Sequence, residues 1–268
     1  MDELRAEENE VTPYLIFTIT DEAGNDIRKI HKKISKGINR TSWNLRYPGV
    51  HPIRLKNKKF DPIASEGDFM YVLPGKYNVS LAQCVRGEVT ELVAPVEFEA
   101  VVLNNTTLPA TDRKELVAFQ KKVSKLIKAV RGANSLSNDL MEKTQFIKQA
   151  ILKSPDINPD LMKKANKIEA ELDEILWDFS GQQPKASREE NWPAKPSINE
   201  RLSSMVYAHW RSTSAITQTQ KDTYEIISEE FPPLLEKLKE INNVELKNLE
   251  RELEKAGVPY TPGRVPEW

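Results

Sequence analysis

The longest pattern in the chain is a stripe of apolar residues from Leu116 to Ile151. Leu116, Phe119, Val123, Leu126, Val130, Ala133, Leu140, Ile147 and Ile151 recur at steps of three, four or seven, with Lys, Glu, Gln, Asp and Asn filling most other positions. Ser137 and Thr144 stand in the two slots where the rhythm asks for an apolar residue. Side chains three and four apart share a helix face, so the spacing predicts one long amphipathic helix. Thr111 or Asp112 is placed to cap it, with Glu115 in the first turn. Gly132 costs such a helix about 1 kcal/mol, but the stripe keeps phase across it, which predicts a single helix with room for a kink.

Three further stripes follow. Leu161, Ala165, Ile168, Leu172, Ile175 and Phe179 lie between Asn158-Pro159 and Gly181. Ile198, Leu202, Met205 and His209 follow a capping Ser197, and Thr217 opens a fourth run with Tyr224, Ile227, Phe231, Leu234, Leu238 and Ile241. Pro232-Pro233 predicts a bend or break there, after which the stripe resumes as Leu246, Leu249 and Leu253. Four amphipathic helices pack most simply as an antiparallel bundle.

The first hundred residues change period. Tyr14 to Thr20 is aromatic and β-branched, Asp21 to Asp26 is turn-like, and Ile27 to Ile34 reads as the returning strand. Thr41, Trp43, Leu45 and Tyr47 alternate with polar residues as a half-buried strand does. Residues 48 to 68 are loop-like. Phe69 to Leu73 is a short apolar run, and Lys76 to Leu81 and Thr90 to Val102 supply further strands, with a tight turn at Gly87. Short strands separated by turn residues predict an antiparallel immunoglobulin- or fibronectin-like β-sandwich. The expectation is an α+β chain of two domains. Residues 1–10 form a flexible N-terminus, 11–103 the β-sandwich, 104–110 a linker and 111–257 the four-helix bundle, with a Pro-rich connection at 182–196. Residues 258–268 form an extended tail in which Tyr260, Val265 and Trp268 are placed to pin it to a neighbouring surface.

Bulk composition narrows the chemistry. Charged residues make up 29% and apolar residues 39% of the 268, and the 39 basic and 40 acidic side chains nearly cancel. A mean hydropathy of -0.56 and a pI near 6.4 describe a water-facing protein without the basic excess of a nucleic-acid binder. No run approaches the roughly 18 apolar residues of a membrane span. The acidic start Met1 to Glu8 lacks the basic and apolar regions of a signal peptide, which by itself places the chain in the cytoplasm.

Catalytic signatures are sparse. His31, His51 and His209 lie far apart without metal-ligand spacing, Cys84 has no cysteine partner, and no phosphate-cradling glycine motif occurs. No catalytic, cofactor or metal residue is therefore assigned. Glycoside hydrolysis asks only for two acids at the right separation, and Asp61, Glu66, Asp68, Glu88 and Glu91 lie in or beside the β-domain loops, where 40 acids in the chain make chance proximity expected. Lys56, Lys58 and Lys59 with Lys29, Lys32 and Lys33 suggest a basic patch for an acidic partner or polyanionic glycan. The candidate interaction residues are Trp43, Tyr47, Tyr71, Lys58, Lys59 and Trp268.

Gly37 to Tyr47, followed by Leu73 to Val79, resembles the β-sandwich found after the propeller in bacterial BNR-repeat, sortilin-like proteins often labelled glycosyl hydrolases. The hairpin at Tyr14 to Ile30, the Ser212 to Gln220 connection and the closing Pro259 to Trp268 are similar to the C-terminal end of that family. The Asp-box repeats of the propeller are absent. The resemblance implies the C-terminal part of a longer exported protein, periplasmic or extracellular, whose partner is an upstream propeller of the same polypeptide. It implies a non-catalytic module that supports or docks with that propeller. A glycoside hydrolase, or part of one, and a carbohydrate- or peptide-binding module are the alternatives. Self-association through the helices is a further expectation.

Overall fold

The computed structural model describes residues 7–8, 10–53, 60–64, 67–103, 108–154, 158–182, 193–210 and 212–265. Within them the chain is α+β, with two antiparallel sheets and a set of long helices. It divides into two compact units. The first comprises Met1–Lys122 with His209–Ile216, and the second Val123–Ala208 with Thr217–Trp268.

The first unit is built on six strands: β1 (Tyr14–Asp21), β2 (Asp26–Lys33), β3 (Arg46–Pro48), β4 (Asp68–Tyr71), β5 (Gly75–Val85) and β6 (Glu88–Ala100). The larger sheet has the order β2-β1-β5-β6, and β3 pairs with β4 separately. Asp21 closes the β1–β2 turn, because its carboxylate accepts from the Ala23 and Asn25 amides at 3.0 and 2.8 Å. Arg86 and Gly87 join β5 to β6 with φ of 52° and 83°, the two positive values that a twist-matched two-residue hairpin needs. Register places Ile19 opposite Val79, and Tyr77 opposite Phe98. That face holds the core of Ile19, Ile27, Val72, Tyr77 and Ala100, with Trp43, Leu45 and Tyr47 packed against it.

The strand expected over Thr41 to Tyr47 is largely absent. Leu45 sits at φ 57°, its carbonyl takes the Val72 amide at 2.9 Å, and only Arg46–Pro48 forms a ladder. Alternation there records burial of Trp43, Leu45 and Tyr47 by a loop, not by a sheet. Gly49 lies so close to Gly67 that an added Cβ would meet its backbone at 3.0 Å.

Five helices follow: α1 (Arg113–Leu152), α2 (Pro159–Ser180), α3 (Ile198–His209), α4 (Gln218–Glu240) and α5 (Leu246–Lys255). Helix α1 is continuous through Gly132, and Asp112 caps it by accepting from the Lys114 and Glu115 amides at 2.8 and 3.0 Å. Its most buried residues include Leu116, Val123, Ile127, Val130, Ala133, Ser137, Leu140, Thr144, Ile147 and Ile151. Ile127 takes the core position expected for Leu126, since the stripe drifts by a residue along a helix of 3.6 per turn. Ser137 and Thr144 stay on the stripe because their hydroxyls donate to the carbonyls of Ala133 and Leu140, four residues back, at 3.0 and 2.8 Å.

In the second unit, Asn158 and Ser197 cap α2 and α3, and Thr217 forms a reciprocal capping box with Gln220 on α4. Of the bend or break expected at Pro232-Pro233, the break does not occur, and α4 runs through both prolines to Glu240. Buried Ile227, Phe231 and Leu238 flank the pair and hold the helix despite the two missing amide donors. Irregularity comes later, in a π-segment at Ile241–Glu245. Ile241 and Leu246 are both buried yet five residues apart, and the wider turn absorbs the additional residue.

Ion pairs tie these helices laterally: Lys143 to Glu250, Lys148 to Glu169, Lys164 to Glu252, Lys167 to Glu245 and Lys237 to Glu174. Partners of α2 move backwards along the α4–α5 run as α2 advances, so the two are antiparallel. The tail folds back on α5, where Arg264 pairs with Glu254 and Tyr260 donates to it at 2.9 Å. Its anchors are buried Val258 and Thr261, whereas Tyr260 and Val265 face solvent. Trp268, the 104–107 part of the linker and most of the 182–196 connection lie outside the described residues.

Candidate functional site

The free side of β2 borders a groove. Among the described residues, β2 lies at the end of the sheet order and pairs only with β1. Beyond its open edge lies a cavity of about 360 Å³, whose walls include the five consecutive residues Arg28–Lys32 and the Trp43 loop. The strand is held in place by Arg28, whose Nη1 donates to the Arg46 and Tyr47 carbonyls at 3.3 Å and to Asp68 at 2.9 Å. The Asn44 amide and then Arg28 hold the Asp68 carboxyl below its ordinary range. Trp43 closes the floor and donates its indole N–H to the Arg46 carbonyl at 2.9 Å.

The cations at this edge differ in their freedom. Arg28 is consumed by the wall, and Lys29 reaches Asp26 at 3.0 Å. Lys32 and Lys33 are exposed, and neither forms an ion pair with a carboxylate among the described residues. The His31 ring meets Tyr14 edge-on at 5.6 Å. Tyr14 also bonds the buried Cys84 thiol, which raises its phenol above the ordinary value. An open strand edge offers alternating amide donors and carbonyl acceptors, so the groove can add an extended chain by main-chain pairing. The cations beside it favour carboxylates on that chain.

The aromatic candidates sit in different settings. Trp43 packs edge-on against Tyr77 and Phe98 at 5.5 and 6.0 Å, and burial pushes the Tyr77 phenol up to about 12. Tyr47 is half-buried with Lys121 over its ring at 5.5 Å. Tyr71 is exposed, and the Arg46 guanidinium stacks on it at 3.7 Å. Lys58, Lys59 and Trp268 lie outside the described residues, as do Lys56 and Glu66. The acids are spread out as well: Asp61 accepts from the Ile63 amide, Asp68 is in the groove wall, and Glu88 and Glu91 are exposed on β6. The His209 side chain is not described.

Sequence reasoning gathered Lys29, Lys32 and Lys33 but missed Arg28 and the strand edge itself. A strand of Asp-Ile-Arg-Lys-Ile-His-Lys-Lys, in which only Ile27 is fully buried, carries the charge pattern of an edge. Among the described residues, no group of three or more metal-ligating side chains converges and no helix is long and apolar enough to cross a membrane.

No family model, curated protein or solved structure matches this chain. The groove therefore carries the functional reading.

Proposed function

We propose that this chain is a non-catalytic interaction module. Its β unit takes an acidic, extended segment of polypeptide along the open edge of β2. The observation that carries this reading is the groove itself, where a strand edge unpaired among the described residues, the Trp43 ring and exposed Lys32 line a cavity of about 360 Å³, with exposed Lys33 next along the strand. In the finer architecture, the two sheets form an immunoglobulin-like sandwich, and the helices form an antiparallel bundle that stiffens the module. The lateral ion pairs and buried stripes support the bundle. The resemblance adds an upstream propeller in an exported polypeptide as the structure this module supports.

Fluorescence anisotropy with a labelled, extended Glu/Val-rich peptide tests the groove. Binding at low salt that weakens by at least about tenfold in Lys32→Glu/Lys33→Glu, and also when salt rises, is the expected result. Equal affinity for a Lys/Val-rich peptide, or binding of oligosaccharides alone, overturns it.

A further inference from the structure

Opposite ends of the same sheet carry opposite charge. β2 carries Arg28, Lys29, Lys32 and Lys33 with one acid, Asp26, and of the four cations Lys32 and Lys33 have no carboxylate partner among the described residues. β6, at the far end of the order β2-β1-β5-β6, presents Glu88, Glu91, Glu97 and Glu99 and no cation. Glu97 is answered by Lys76 at 2.8 Å, while Glu88 and Glu91 have no ion pair with any described residue. β6 also exposes its apolar residues, with Val89, Leu92, Val93 and Val96 each between 46% and 63% accessible. Polar edges are the usual way a strand avoids unwanted pairing, and an edge that is both apolar and open is a template for another strand. Pro95 limits the usable run, since it has no amide to donate, and leaves Glu88–Val93 as the open stretch. That is six residues, the length of Arg28–Lys33 on β2.

We infer that the occupant of the β2 groove is β6 of a second copy of this chain, so that copies join head to tail into one continuous sheet. This rests on the proposed use of the groove for an acidic extended segment. Pairing β6 with β6 sets glutamates against glutamates, and pairing β2 with β2 sets lysines against lysines. Both are penalised where like charges meet across strands. Only β6 on β2 matches charge along the contact. Such a contact uses two different surfaces, so each added copy leaves one edge of each kind open, and growth continues unless the rotation closes a ring.

Sedimentation of four forms of the full chain tests this: wild type, Lys29→Glu/Lys32→Glu/Lys33→Glu, Glu88→Lys/Glu91→Lys, and the chain carrying both sets. Circular dichroism first shows that each is folded. At low salt the wild type is expected to exceed twice its 30.6 kDa mass as concentration rises, and to return towards monomer in high salt. Each single set stays monomeric, since all its edges then share one sign. An equimolar mixture of the two reassociates, and the chain with both sets reassociates alone. A wild type that stays monomeric at every concentration, or a doubly swapped chain that does not recover, overturns the inference. A labelled peptide of residues 88–93 separates the two levels. If it binds the Glu88→Lys/Glu91→Lys chain while the wild type remains monomeric, the groove reading stands and self-assembly falls. If the peptide does not bind and the wild type stays monomeric, both fall.

Discussion

Ser137 and Thr144 show how a polar residue takes a core slot. Each hydroxyl is satisfied by a helix carbonyl that already has its own amide partner, so neither leaves a buried group unpaired. Replacing Thr144 by Val keeps its volume and is expected to change stability by less than about 0.5 kcal/mol. Thr144→Ala opens a void and is expected to cost about 1 kcal/mol, and urea denaturation distinguishes the two. At the groove, Asp68 is charged in a setting that favours the carboxylate. A depressed pKa contributes stability above the unfolded value and loses it as pH falls through the folded one. With its side chain 46% exposed, the Arg28 tie is worth at most about 1 kcal/mol after solvent screening. The stability of Asp68→Asn is therefore expected to fall less steeply with acid than wild type below about pH 4, as followed by denaturation at stepped pH. The sequence showed that Ser137 and Thr144 lay in phase with the stripe. It did not show Arg28 reaching the Arg46 carbonyl, because that contact spans a loop whose path has no period.

At the level of elements, caps and periodicity were legible and breakers were not. Asn158, Ser197, Thr217 and Gly181 act where their chemistry places them, since capping is decided by neighbours within four residues. Pro232-Pro233 misled because a proline's local cost of about 3 kcal/mol competes with burial contributed by distant residues. Pro233→Ala is expected to restore one helical hydrogen bond. It should raise stability by about 1 to 2 kcal/mol, net of the unfolded-state entropy that proline removes, with a matching gain in midpoint denaturant. The Thr41 to Tyr47 stretch misled in the opposite direction, because alternation predicts which side chains are buried and not which backbone pairs.

For the whole molecule, a net charge of -1 conceals local order. Charge is sorted to opposite edges of one sheet and paired across helices, and neither arrangement shows in a total. Exposed ion pairs such as Lys164 to Glu252 and Lys237 to Glu174 are each worth at most about 1 kcal/mol, while truncating a fully buried Ile147 or Ile175 to Ala costs about 2 to 5 kcal/mol. Thermal melts of the helical signal are therefore expected to shift by only a few degrees on adding 1 M salt. Ile147→Ala is expected to lower the midpoint by more than that salt shift.

The π-segment has a consequence for how this chain tolerates change in length. Losing one residue from an ordinary helix rotates everything beyond it by about 100°, which turns a buried stripe to solvent. Between Ile241 and Leu246 the opposite holds, since the five-residue step becomes four when exposed Asn243 is deleted. Leu246, Leu249 and Leu253 then keep their facing on regular α-helical geometry. Deleting Asn243 is expected to preserve or raise the melting temperature, whereas deleting Glu236, about two turns earlier, turns Leu238 and Ile241 off the core and is expected to lower it. This short stretch is thus where a lineage can lose a codon without losing its core.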